Sequence, residues 1–321
     1  MHARPHGEKY IRVQVQEPLA AADYPDEPPV KLPMPHLAAA TPTTAQLSWS
    51  DWVHSRAWQD HADAIPMLPS LAVEVAEIAL DTNVPATRIT AIVSKDPVLA
   101  TKVIQLANSA FSAPATEITS IREAVVRMGT TTVRNVVMTS CLTSMMENPD
   151  VYGPRGRALI DHSIGTAYLA RLVAERCCGD ADEMFLAGLL HDIGKLVILK
   201  LAAGKHGGVA KPTVTEVEQV LEDQHAAFGG FLLRRWQLPR NLHDPIVWHH
   251  YPEGASNRPQ EAAMIYVANR LAHKYGFGCT REEIDVAADP YFAHVNVDAA
   301  TMKRFDQRAP GLFEIARKIT Q

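Results

Sequence analysis

Cysteine is scarce in this chain of 321 residues: Cys141, Cys177, Cys178 and Cys279 are the only four, and none stands in CxxC spacing. The adjacent Cys177 and Cys178 cannot easily bridge to each other within a helix. A disulfide framework is excluded, and a reducing compartment, the cytoplasm, is the expectation. Aromatic residues are few, at 7%, so the core must be built from aliphatic side chains. There is no excess of positive charge either. The formal net charge is -5 and the pI about 6.3, so no global field draws the chain to nucleic acid or to an anionic membrane. Also missing is any apolar run near the roughly eighteen residues that a spanning helix needs. No membrane span and no export signal are expected.

What the chain does have is 47% hydrophobic residues in helical order. Eight of the 22 prolines fall in the first 42 residues, a density that blocks both helix propagation and sheet centres. Residues 1–44 therefore read as a disordered proline-rich tail. Trp49, Trp52, Val53 and Trp58 follow at spacings that place them on one side of a short helix. Beyond Pro69, apolar residues recur at three and four, as in Leu71, Val75, Ile78 and Val98, Leu99, Val103, Leu106, and no sustained alternation of period two occurs. The punctuation agrees. Asp96-Pro97 reads as an N-cap with proline at the first helical position, Ser120 to Glu123 and Thr215 to Glu218 have capping-box spacing, and Gly129 and Gly179 are placed to end helices. The segment Met184–Leu199 reads as one deeply buried helix, Trp236 as a core residue, and Lys102, Arg122, Arg127 and Arg134 as a solvated face. The fold class is all-α in two lobes: an N-terminal helical lobe over 45–150, a helical bundle over 151–275 and terminal helices over 276–321.

Seven of the fourteen histidines lie between 162 and 250. His191-Asp192 sits inside the apolar stretch Phe185–Lys195, where burying an imidazole and a carboxylate together is costly unless something pairs with them. Two partners stay open on spacing alone: a divalent cation, or neighbouring backbone and side chains. Adjacent helical residues point about 100° apart, so both can reach one ion only at a helix end, which Gly194 supplies. Lys195 returns to the face of His191, placed to meet a phosphate.

The strings GLLHDIGK, EVEQVLEDQHAAFGGFLLRRWQLP and IVWHH, preceded by IPMLPSLAVEVAEIA, VSKDPVLATKVIQLANSAFS and ITSIREAVVRMGTTTVRNVVM, resemble in order and spacing the HDOD family, bacterial relatives of the HD and HD-GYP metal-dependent phosphohydrolases. The resemblance runs from about Ile65 to His273. It implies an HD-type bundle as the second lobe, with metal ligands at His162, His191, Asp192, His225, His249 and His250, converging in one cavity. Iron, manganese, zinc or nickel suits such imidazole and carboxylate donors, and a pair of ions suits an in-line displacement at a phosphoester. Asn269 stands where the hydrolases carry aspartate, a weak ligand in that place. The glycine-tyrosine-proline signature is absent, since the sequence here is Tyr251-Pro252-Glu253-Gly254. The resemblance therefore implies a cytoplasmic signal-transduction module with a vestigial or single-metal HD site, acting through protein partners and open to a nucleotide ligand. The alternative is a metal-dependent phosphohydrolase acting on a nucleotide or phosphoester, with Lys195 as a phosphate contact.

Overall fold

The apolar three-and-four periodicity emerges throughout as helix. A computed structural model describes residues 48–55, 58, 67–79, 84–108, 117–146, 148–205, 209–279 and 281–320, and among these no β-strand forms. The proline-rich segment 1–44 lies outside the described residues. Six helices come first: α1 (Trp49–His54), α2 (Ser70–Ala79), α3 (Ala86–Val93), α4 (Pro97–Ala107), α5 (Ile121–Met128) and α6 (Thr130–Met145). Their ends follow local chemistry. Asp96 accepts from the backbone N–H groups of Val98 and Leu99 with Pro97 at the first position of α4, and Ser120 accepts from that of Glu123. Gly129 at φ 82° turns α5 into α6.

The second group is α7 (Gly153–Cys177), α8 (Ala181–Leu190), α9 (Gly194–Ala203), α10 (Val214–Arg235), α11 (His243–Val247) and α12 (Pro259–Tyr275), followed by α13 (Pro290–His294) and α14 (Ala299–Thr320). Helix α7 packs along α8 and α12, and α9 crosses α10. The first helices are tied to this bundle at two places. Trp58 stacks on Phe228 of α10 with ring centroids 4.3 Å apart. On α6, Arg134 is buried and pairs with Asp182 of α8 at 3.1 Å, while donating to the carbonyl of Ile78 on α2 at 2.7 Å. No described helix is long and apolar enough to cross a membrane.

Several local expectations are corrected. Met184–Leu199 is two helices, because the chain breaks into a turn over 191–193 and restarts at Gly194. The capping box of α10 is Thr213 with Glu216, two residues before the expected pair, and both of its reciprocal bonds are made. The left-handed residue that ends α7 is Cys178 at φ 55°, one position before Gly179. Arg134 is no part of a solvated face, since Asp182 and two backbone or hydroxyl oxygens satisfy its guanidinium in the interior. Trp58 also lies beyond α1, although it is buried with Trp49 and Trp52.

The crossing of α9 over α10 depends on Gly194. A Cβ there would stand 2.0 Å from the His225 carbonyl oxygen and 2.6 Å from the Gly229 nitrogen, both backbone atoms. Gly194→Ala is expected to cost about 3 kcal/mol, the upper part of the range for overpacking. Gly311→Ala meets nothing within 4 Å and should stabilise α14 by up to about 1 kcal/mol through helix propensity. Urea denaturation of both variants checks the pair; equal stabilities would show that the helix crossing is not that tight.

Candidate metal centre

The turn between α8 and α9 carries the charge at the heart of the bundle. Asp192 is 2% exposed. Its Oδ2 lies 2.6 Å from Lys195 Nζ, 3.3 Å from His191 Nε2 and 3.8 Å from His162 Nε2. Its Oδ1 lies 3.3 Å from His225 Nε2 and 3.9 Å from His249 Nε2. One carboxylate thus faces imidazoles from α7, α10 and the segment after α11. His250, at the exposed edge, brings its Nε2 to 3.0 Å from that of His225. The six residues named from the sequence fall into two groups of potential ligands, His162 with His191 and Asp192, and His225 with His249 and His250. Asn269 joins the first group, with Oδ1 2.9 Å from His162 Nε2. Lys195 is committed to Asp192 in this arrangement.

Backbone carbonyls set the tautomers. His191 Nδ1 donates to Gly188 at 2.8 Å, His225 Nδ1 to Leu221 at 2.6 Å and His249 Nδ1 to Ile246 at 2.6 Å. A carbonyl only accepts, so each ring keeps its proton on Nδ1 and turns a bare Nε2 lone pair inward. His191 Nε2 has no hydrogen-bond partner although it is buried. The Nε2 atoms of His225 and His249 stand 3.2 Å apart with no proton to place between them, and both face a carboxylate oxygen. Lone pairs gathered around an anion are mutually repulsive unless a cation lies among them. Two imidazole nitrogens bound to one tetrahedral ion at ordinary bond lengths would be about 3.4 Å apart, close to the observed spacing. The donor set fits a divalent metal.

His162 differs. Its Nδ1 is 3.2 Å from the Phe277 carbonyl oxygen while Asn269 Oδ1 faces its Nε2, so one neutral ring meets two acceptors and satisfies one of them. The Phe277 carbonyl reaches α7 because Gly278 adopts φ 63°, where a Cβ would stand 1.9 Å from the Ala158 oxygen.

Burial pushes His162 and His225 down to about 3 and holds His249 well below the usual imidazole range. Burial by itself would raise Asp192, but the field of His191, Lys195 and His225 keeps its carboxyl well below the ordinary value. The site is therefore set as neutral imidazoles around an ionised carboxylate, the protonation state that metal ligation needs.

Above these groups opens a cavity of about 530 Å³ whose lining includes Arg155, Lys195, Tyr251, His273 and Cys279. Arg155, Tyr251 and His273 were not singled out as site residues from the sequence. His273 has its ring centroid 4.9 Å from that of His162 and Nδ1 3.2 Å from Glu282. The bundle is braced behind the site by Glu183 of α8, which pairs with Arg258 and accepts from Asn241 at 2.6 Å.

The HDOD domain profile matches residues 65–252, more than half of the chain. The chain belongs to the HDOD family. Among curated relatives, this HDOD chain is 28% identical over 203 residues to a protein of Treponema pallidum (strain Nichols) that carries no activity in its name, covering 60% of this chain and 38% of that one. It is 33% identical over 117 residues to ribonuclease Y of Thermus thermophilus, covering 36% of this chain and 17% of the ribonuclease. The chain thus spans well under half the length of either relative. A solved structure from Marinobacter aquaeolei VT8, of a protein named for signal transduction, superposes with a TM-score of 0.66 at 21% identity, covering 84% of this chain and 65% of that one. At that identity the likeness speaks to the fold.

The depressed imidazoles predict a pH dependence for the metal-free protein. Unfolded histidines take up protons near pH 6.5, whereas native His162 and His225 resist protonation to about 3. Unfolding therefore takes up protons between these values, and stability, complete above pH 6.5, falls as pH is lowered. The expected slope is about 1.4 kcal/mol per pH unit for each such imidazole. Chemical denaturation at pH 7.5, 6 and 5 measures it, and a flat profile would mean that the native histidines are already charged.

Proposed function

We propose that this HDOD protein is a signal-transduction module whose HD centre holds divalent cations, captures a phosphorylated ligand through them and passes its occupancy to a protein partner. The observation that carries this reading is the placement of Asp192, with each carboxylate oxygen facing a different imidazole group and three Nε2 lone pairs lacking any proton. His225, His249 and His250 would hold one ion with Asp192 Oδ1; His162, His191 and Asp192 Oδ2 would hold the other. Iron, manganese, zinc and nickel all match the donors. When bound, such ions supply positive charge that polarises a phosphoryl group.

The two positions are unequal. Asn269 gives the first group a neutral oxygen in place of a carboxylate, which leaves that ion more weakly held, while the second group is untouched by the substitution. This supports graded occupancy and is the form that the single-metal expectation takes in the folded protein. A route to a partner is supported by α8, whose first turn is paired through Asp182 to buried Arg134 on α6 and whose C-terminal end leads into His191 and Asp192. Displacement at either end is felt at the other through one short rigid element.

Phosphoester hydrolysis is the second reading, and the shared position of Asp192 between both groups favours it. Lys195, 2.6 Å from Asp192, would steady that carboxylate and add positive charge at the cavity floor. Asn269 weighs against efficient turnover.

Elemental analysis of protein purified without a metal-affinity tag tests the proposal. The expected content is more than one and fewer than two ions per chain. Asn269→Asp should raise it towards two, His225→Ala should remove the tighter ion, and Asp192→Asn should lower both. Metal-free protein that stays metal-free after incubation with manganese, iron or zinc would overturn the reading. Phosphodiester turnover abolished by His191→Ala would promote the hydrolase.

A further inference from the structure

The cavity above the imidazoles is layered, and the two helices that wall it repeat the same order. On α7, Arg155, Leu159 and His162 stand four and three residues apart and share one face; on α10, Glu218, Leu221 and His225 do the same at three and four. All six line the cavity. Arg155 and Glu218 form an ion pair across its rim, each seven residues along its helix from the histidine of its own floor, which is about 10 Å at the helical rise. Between rim and floor lies a leucine waist, Leu159 and Leu221 joined by Leu199 of α9. Tyr251, the residue after the histidine doublet, adds an aromatic face that lines the same cavity while 55% exposed.

A ligand that fills these layers is charged at one end, flat and apolar in the middle, and hydrogen-bonding at the far end, over about 10 Å. Inorganic phosphate occupies the floor alone. A sugar phosphate has no apolar face to bury against leucine. We infer that the ligand is a nucleoside phosphate: its phosphate sits at the floor beside Lys195, its base lies in the leucine waist against Tyr251, and the edge of the base meets Arg155 and Glu218, which carry donors and an acceptor. The volume of about 530 Å³ falls within the range of small-molecule pockets. This inference rests on the phosphoester reading above and adds the class of molecule that carries the phosphate.

Calorimetric titration of the full chain loaded with manganese tests it, with AMP, GMP, ribose 5-phosphate and inorganic phosphate as probes. At least one nucleotide should bind tenfold or more tightly than ribose 5-phosphate. Tyr251→Ala should weaken nucleotide binding by about tenfold, as loss of one base-stacking contact does, and leave ribose 5-phosphate unchanged, while Tyr251→Phe keeps the wild-type affinity. Glu218→Gln should change the ratio between AMP and GMP. If ribose 5-phosphate binds as well as both nucleotides, or Tyr251→Ala weakens all probes alike, the aromatic layer is not used and this inference fails while the phosphoester reading stands. Binding of none of the four probes overturns both.

Discussion

The structure turns on one buried carboxylate. Taking the charge of Asp192 out of water costs several kcal/mol unless it is well paired, and a single half-buried lysine meets only one of its oxygens. Everything else around it is imidazole, oriented with lone pairs inward. That orientation has its cause in the backbone: carbonyls at Gly188, Leu221 and Ile246 hold the Nδ1 protons outward, leaving each Nε2 to face the carboxylate. Without a cation the arrangement is electrostatically frustrated, and with one it is a set of preorganised ligands whose outer-shell bonds are already made.

The helical framework serves this arrangement through close approaches. Gly194 restarts the chain against the backbone of α10, so the turn bearing His191 and Asp192 lies directly beside His225. Gly278 lets the segment after α12 reach α7 and set the Phe277 carbonyl beside His162. A side chain at either place would collide with backbone atoms that cannot move aside, so the geometry of the site and the packing of the bundle are the same constraint seen from two sides.

Asn269 gives the centre its asymmetry. Its amide occupies the approach to His162, where an aspartate would add charge to one group of ligands, while the His225 group carries none of that loss. An HD centre of this kind can retain binding after its catalytic power has declined. Buried Arg134, which joins the helix before the bundle to the start of α8, shows how such a centre can be wired to a surface far from it.

Much of this was legible in the chain itself. The three-and-four periodicity determined helices, because only that repeat lets aliphatic residues share one buried face, and Asp96-Pro97, Ser120 and Gly129 marked helix ends through bonds made within a few residues. The order of the histidines and of His191-Asp192 named the groups that meet. The turn at 191–193 was hidden, since an unbroken apolar run reads as one helix and only the crossing of α9 over α10 requires it to break there. Arg134 looked like a surface charge, because its partners Asp182 and Ile78 lie 48 and 56 residues away. The shared spacing of Arg155, Leu159 and His162 with Glu218, Leu221 and His225 is written in the sequence, but two separate helices carry it. Local bonds are fixed by neighbours in the chain; the facing of α7 and α10, the tautomers of the histidines and the position of Asp192 between two imidazole groups depend on which distant backbone carbonyls and helix faces come together, and only the tertiary packing decides that.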